Sequence, residues 1–163
     1  MRRRCLGLAF VVFGLCVSPR ASGQAVESAP SLTLVGVRAV AAAAAEEASA
    51  NGWNVVIVVV DAAGNLLSLE RMDGALPASV EVAQQKARTA ALYRRSTKAF
   101  ADRLATGDAV VHELPEMMPI EGGLPIFVDG RVVGAVGVSG VRADQDAQIA
   151  QAGIDALVAL LNP

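Results

Sequence analysis

One stretch decides the fold: PIFVDGRVVGAVGVS, residues 125–139. Two apolar runs flank Asp129 and Gly130, a pair that readily adopts the tight turn joining two twisted antiparallel strands. The stretch therefore predicts a β-hairpin with strands at 125–128 and 131–139. Gly134 and Gly137 in the second strand mark places where another backbone approaches closely.

A second hairpin is predicted upstream. Residues 53–60, WNVVIVVV, are nearly all apolar and β-branched without alternation, which indicates a strand buried on both faces in the middle of a sheet. The turn DAAGN follows at 61–65, and residues 66–71 return as the partner strand.

The first and last segments of the domain predict helices. Residues 32–50 carry an alanine run with high helix propensity, and Asn51 and Gly52 supply a stop. Asp144 and Asp146 favour the start of a final helix that ends at Asn162. Its predicted buried positions are Ile149, Ala152, Ala156, Leu157 and Leu160.

The central helix has an unusual apolar face. Between residue 78 and about residue 93, a stripe at helical spacing consists mostly of alanine (Val80, Ala83, Ala87, Ala90 and Ala91), so the helix backbone can approach a sheet closely. Arg94 would fall inside this stripe, where an unpaired charge is costly. We therefore expect the helix to break there and a short helix, capped by Ser96 or Thr97, to run to about Ala105.

The order of elements is helix, hairpin, helices, hairpin, helix. Two antiparallel hairpins without repeats favour one α/β (α+β) domain with a single antiparallel sheet covered by helices. Residues 106–124 show no clear period, and a long irregular segment inside a compact domain is often functional.

The N-terminus predicts a signal peptide. Arg2, Arg3 and Arg4 precede an apolar run from Leu6 to Val17, which is too short to span a membrane, and small residues follow. We therefore assign residues 1–23 to a signal peptide, 24–31 to a flexible leader and 32–162 to the domain, and expect a secreted or periplasmic protein with no membrane association after cleavage. Both cysteines lie in the removed segment, which excludes disulfides and thiolate catalysis from the mature chain.

Charge narrows the class of ligand. Removal of the four arginines in the signal segment leaves ten basic residues against sixteen acidic ones, which disfavours nucleic-acid binding. Six of these ten cluster within eighteen residues: Lys86, Arg88, Arg94, Arg95, Lys98 and Arg103. This basic cluster predicts attraction for an anion, and its alternative is an ordinary solvated helix face.

Several sequence blocks carry a resemblance. They are VDAAGNLL at 60–67, RMDG at 71–74, KARTA at 86–90, EGGLP at 121–125, VDG at 128–130, GAVGVSG at 134–140 and DQD at 144–146. In this order they resemble the GlcG/HbpS family over almost the whole domain. The resemblance implies a profilin-like three-layer α/β/α fold, homo-oligomers and, in some members, haem binding. A related domain ends PduO-type corrinoid adenosyltransferases.

The resemblance directs attention to residues that suit haem. Guanidinium and ammonium groups of Arg88, Arg95 and Lys86 suit the propionates. Thr97 matches the position of an iron contact in haem-binding HbpS, and its alternative role is to cap the following helix. Arg71 could pair with a ligand carboxylate or with Asp73.

Two further groups stand in the irregular segment. His112 is the only histidine, and with Glu113 and Glu116 its spacing predicts an iron or other metal site, although a lone loop histidine is often just solvated. Glu121, Gly122 and Gly123 could present backbone amides to an anion or simply allow a sharp entry into a strand.

These candidates support three functions. The first is an exported haem-binding protein for haem or iron handling or redox sensing. The second is an enzyme or accessory protein acting on a small carboxylate, and the third is a structural oligomer without a ligand. No nucleophile, base and acid set is visible, so a conventional hydrolase is disfavoured and the expectation leans away from an enzyme.

Overall fold

The computed structural model describes residues 28–162, so the predicted signal peptide at 1–23 and the first four leader residues lie outside the described part. In chain order the elements are α1 (Leu34–Ala50), β1 (Val56–Asp61), β2 (Leu66–Arg71), α2 (Ser79–Tyr93), α3 (Thr97–Ala105), a 3-10 helix (Ala109–Glu113), β3 (Gly123–Val128), β4 (Arg131–Ser139) and α4 (Ala143–Leu161). Within residues 28–162, no helix is both long enough and apolar enough to cross a membrane.

The strands form one antiparallel sheet in the order β2-β1-β4-β3. β1 lies inside the sheet, and its first five residues, Val56 to Val60, are all buried. This confirms the central strand that the continuous apolar run predicted, because both faces of β1 are covered by helices.

The decisive hairpin is confirmed. Asp129 has φ 49° and Gly130 has φ 74°, so both turn residues are left-handed as the tight hairpin turn requires. Val128 pairs with Arg131 across the turn. β3 begins at Gly123, two residues before the predicted start.

The helices complete a three-layer α/β/α arrangement, as predicted. α1 and α4 cover one face of the sheet around a core that includes Val40, Ile57 and Ile149. α2 covers the other face, where its alanines pack against Val58 and Ala135. The two cores lie on opposite sides of β1, which is why successive residues of that strand alternate between them.

The alanine face of α2 lies directly on the sheet. A Cβ at Gly137 of β4 would stand 2.1 Å from the carbonyl oxygen of Ala83 and 2.5 Å from the nitrogen of Ala87. A Cβ at Gly123 of β3 would stand 2.4 Å from the carbonyl oxygen of Lys86. Helix and strand therefore meet backbone to backbone, which only glycine permits on the strand side.

The predicted helix break is confirmed at Arg94, whose φ of 54° and ψ of 37° end α2. α3 then begins at Thr97 with Ser96 at its N-cap position. Ser96 makes no capping hydrogen bond, and Thr97 does not cap the helix either. The Thr97 hydroxyl instead accepts a hydrogen bond of 2.9 Å from the backbone nitrogen of Gly123, so it joins α3 to β3.

One predicted helix face needs correction. In α4, Ile149 and Leu157 are buried as expected, but Leu160 is 50% exposed. Gly153 is buried in place of the neighbouring alanines, since a Cβ there would stand 2.7 Å from the carbonyl oxygen of Val40 in α1. Close contact with α1 thus determines which face of α4 is buried. A helical wheel of the α4 sequence alone could not predict this face, because the wheel carries no information about α1.

Candidate functional site

A cleft of about 530 Å³ opens beside α2. One wall is the outer face of α2, and the other is the segment that follows the 3-10 helix. We call it the α2 cleft, and it is lined by Glu81, Gln85, Arg88, Leu114, Glu116 and Met117. It combines one cation, two carboxylates, an amide and two apolar side chains.

The outer wall is fastened to α2. The Thr89 hydroxyl donates to the carbonyl oxygen of Glu116 at 2.9 Å and accepts from the nitrogen of Met118 at 2.9 Å. The Tyr93 hydroxyl donates to the carbonyl oxygen of Pro115 at 2.6 Å. Glu116 itself has a left-handed backbone with φ 56°. These bonds hold the irregular segment in place although it lacks regular hydrogen bonding of its own.

Arg88 is the cation of the α2 cleft. Its Nε donates to the Glu116 carboxylate at 2.8 Å, and its NH1 group donates to the carbonyl oxygen of Gly64 at 3.1 Å. The Arg88 and Glu116 side chains are 40% and 51% exposed, so this ion pair is worth only about 0–1 kcal/mol. An incoming carboxylate could therefore replace Glu116 as the partner of Arg88 at little cost.

The predicted basic cluster does not act as one surface. Lys98 pairs with Asp102, and Arg103 pairs with Asp108. Arg94 and Arg95 are exposed and have no hydrogen-bond or ion-pair partner within residues 28–162. Of the six cations, the two without a partner in this part of the chain therefore lie at the junction of α2 and α3.

Lys86 lies in the interior. Its ammonium group bonds the Asp146 carboxylate at 2.8 Å and the carbonyl oxygen of Val138 at 2.9 Å, and the two charged side chains are 1% and 3% exposed. Asp146 also accepts a bond of 3.2 Å from the nitrogen of Val141. Burial raises the pKa of the Asp146 carboxyl, and the hydrogen bond from Lys86 opposes that rise. Lys86 thus joins α2 to α4 and does not line the α2 cleft.

The two glycines of the EGGLP block fit around this ion pair. A Cβ at Gly122, whose φ is 121°, would stand 2.8 Å from Lys86 Nζ. Gly122 and Gly123 are buried, and the Gly123 amide donates to Thr97. The Gly123 amide is therefore not free for an anion, and Glu121, which is partly buried, does not line the α2 cleft.

The remaining candidates are spread apart. His112 and Glu113 are exposed on the 3-10 helix, whereas Glu116 turns to Arg88. In the described part of the chain, no three His, Cys, Asp or Glu residues are grouped to hold a metal ion, so the predicted set of His112, Glu113 and Glu116 is not assembled. Arg71 donates to the carbonyl oxygen of Ala75 at 2.8 Å and lines a separate small cleft with Asp73.

A family comparison matches most of the domain. The model of the family described as "haem degrading protein HbpS-like" matches residues 32–155. Protein GlcG of Escherichia coli is 46% identical over 101 residues, which cover 62% of this chain and 75% of GlcG.

Solved structures agree with the family comparison. A double mutant of HbpS from Streptomyces reticuli has a TM-score of 0.77 and 34% identity, with 93% of this chain and 99% of that chain covered. The complex of PduOC with haem has a TM-score of 0.72 and 32% identity, with 78% and 95% covered.

Proposed function

This chain belongs to the family of HbpS-like haem-degrading proteins, and on that premise we propose that it binds haem in the α2 cleft. PduOC, a structural neighbour at 32% identity, is solved in complex with haem. The observation that carries the location is the joint presence in one cleft of Arg88 and of the apolar side chains Leu114 and Met117.

The residues of the α2 cleft suit the parts of haem. Haem has an apolar ring, two propionates and an iron that accepts nitrogen, oxygen or sulfur ligands. Leu114 and Met117 offer apolar contact to the ring, and Met117 also brings a thioether sulfur. When bound, haem would supply the redox chemistry of its iron.

Arg88 would hold a propionate. Its bond to Gly64 keeps the guanidinium beside the cleft, while its weak, half-exposed pair with Glu116 leaves the group able to change partners. A guanidinium matches a carboxylate with two parallel hydrogen bonds. Arg88 is therefore the side chain that orients haem in this proposal.

Three residues are candidates for contact with the haem iron: Thr97, His112 and Met117. Thr97 is fully buried with its hydroxyl bonded to Gly123, so contact with iron would require breaking an interior hydrogen bond. His112 lies two residues before Leu114 of the cleft wall and is exposed. Met117 lines the cleft directly, and we propose it as the residue nearest the iron.

Haemin titration tests the function. We expect a saturable shift of the Soret band, and we expect Arg88→Ala to weaken affinity about tenfold, because a hydrogen bond to a charged group contributes about 1.5–3 kcal/mol. Arg38→Ala on α1, which removes an exposed charge far from the cleft, is the matched control. Met117→Leu should change the shape of the bound spectrum more than the affinity.

The possible results distinguish haem binding itself from the placement of haem in the α2 cleft. If the unmodified protein gives no saturable shift, haem binding itself is wrong. If Arg88→Ala and Arg38→Ala bind haemin equally well, haem binding stands and its placement in the α2 cleft is wrong.

We also propose export to the periplasm or the outside of the cell, with a role in haem or iron handling or in redox sensing. The three arginines and the apolar run of residues 1–23 support export. The intact mass of protein recovered from the periplasm or medium of an expressing host should lack residues 1–23 or slightly more. Recovery of the full-length mass from the cytoplasm alone would contradict export.

Assembly into homo-oligomers is a further part of the proposal. Leu34 and Val35 at the start of α1 and Val158, Leu160 and Leu161 at the end of α4 are all exposed apolar side chains. They lie at one end of the helical layer, and apolar surface of this kind is typical of protein contacts. Light scattering of the purified protein should give a multiple of the chain mass, and a monomer at all concentrations would contradict assembly.

A further inference from the structure

We propose that a second cleft, formed where α2 meets the β3–β4 hairpin, binds a flat aromatic carboxylate. This junction cleft has a volume of about 420 Å³ and is lined by Arg94, Phe127 and Arg131 together with small and aliphatic residues. It shares no lining residue with the α2 cleft. The proposal does not depend on haem binding.

Arg94 is the first reason for the proposal. It is exposed, it has no partner within the described residues, and its side chain lines the junction cleft. Its backbone is left-handed at the end of α2, a position where glycine is favoured because a side chain strains the chain there. The Arg94 guanidinium thus stands at a strained backbone position, and no hydrogen bond or ion pair with residues 28–162 compensates for that strain. Such strain is typical of residues that serve a ligand.

Phe127 supplies the second reason. Its side chain is 49% exposed on the wall of the junction cleft, directly after an irregularity in the pairing of β3 with β4. An exposed phenyl ring offers an apolar face to a flat ring, and aromatic pairs gain energy beyond the area they bury. The junction cleft therefore presents one aromatic surface beside one unpaired cation.

The charge of the junction cleft favours an anionic ligand. That charge is the Arg94 guanidinium, while Arg131 at the hairpin turn also lines the junction cleft. The described lining residues include no acid, whereas the α2 cleft contains Glu81 and Glu116. A carboxylate can accept two parallel hydrogen bonds from the Arg94 guanidinium while its aromatic body contacts Phe127. This arrangement favours an aromatic carboxylate over a neutral aromatic compound or a small inorganic anion.

Calorimetric titration with naphthoate tests the proposal, with naphthylmethanol as a neutral compound of matched shape. We expect saturable binding of naphthoate that is at least about tenfold tighter than that of naphthylmethanol. Arg94→Gly should weaken naphthoate binding about tenfold and at the same time raise the thermal midpoint, because glycine adopts the left-handed backbone without strain. Arg95→Ala removes the same charge one residue further along but outside the cleft, and it should leave affinity unchanged.

Each contrary result overturns the proposal. Absence of saturable naphthoate binding would do so, as would equal binding of naphthylmethanol. Equal losses in Arg94→Gly and Arg95→Ala would show a general charge effect and no built site. Displacement of naphthoate by haemin would show one shared site, while a failed haemin titration alone would leave the junction cleft intact.

Discussion

Lys86→Met is expected to lower the free energy of unfolding by about 3–5 kcal/mol, because it leaves the Asp146 carboxylate buried without its counter-ion. That loss is a large share of the roughly 5–15 kcal/mol by which a domain is stable. Urea unfolding followed by the fluorescence of Trp53, the only tryptophan, measures it. The loss should be smaller in mildly acidic buffer than at neutral pH, since burial raises the pKa of Asp146 and a protonated carboxyl no longer needs the cation.

The sign of this pH effect follows from proton uptake. In Lys86→Met the folded state holds a proton on Asp146 up to a higher pH than the unfolded chain does, so stability falls as pH rises through that interval. Lys98→Met is the matched control, because Lys98 pairs with Asp102 on the exposed surface, where the solvent screens the pair, and its loss should change stability little. The double change Lys86→Met with Asp146→Leu should recover most of the loss. Equal stability of Lys86→Met and Lys98→Met would contradict the importance of the buried pair.

Gly137→Ala is expected to destabilise the domain by about 3 kcal/mol or more, at the upper end of what overpacking costs. The added methyl group would stand 2.1 Å from the carbonyl oxygen of Ala83 and 2.5 Å from the nitrogen of Ala87. Both are backbone atoms of α2, so they cannot move away by a side-chain rotation. The helix must therefore shift as a whole. The same urea experiment measures the change.

Gly36→Ala is the control for this prediction. A Cβ there meets the flexible end of Leu157 at 3.2 Å, and alanine favours a helix over glycine by about 0.5–1 kcal/mol. We expect Gly36→Ala to be neutral or slightly stabilising. If Gly137→Ala proves equally harmless, the backbones of α2 and β4 are not in direct contact at this position.

Local chemistry made much of the fold predictable. The Asp129-Gly130 turn, the buried run of β1 and the alanine stripe of α2 each depend on neighbours in the sequence, and all three are confirmed. The end of α2 at Arg94 was predictable as well, because a charge cannot continue an apolar stripe. Boundaries such as the start of β3 at Gly123 were less accurate, since pairing with β4 decides them.

The candidate site depended on distant contacts and was harder to predict. Lys86 was expected on a ligand-facing surface, but its partner Asp146 is sixty residues away and belongs to the first turn of another helix. The available signals were the place of Lys86 at the border of the apolar stripe and the two acids at the start of α4. Neither signal shows by itself that the two side chains meet.

The basic cluster was also a poor guide to a ligand-binding surface, because sequence spacing does not show which cations are buried or paired in the fold. Sequence spacing gathers six cations, whereas the structure buries Lys86 and pairs Arg88, Lys98 and Arg103 with acids. The sequence position of Thr97 suits a helix cap or an iron contact, whereas its hydroxyl is bonded to Gly123. The function of Thr97 at this position is to connect two elements that are far apart in sequence.

The wall of the α2 cleft is fastened to α2 itself through Thr89 and Tyr93, and none of the lining residues belongs to α1 or α4. A fluorophore, an affinity tag or a surface linker attached at the outer side of α4 would therefore stand behind the sheet, out of reach of whatever enters the cleft. A protein labelled or immobilised there would keep the cleft open to its ligand.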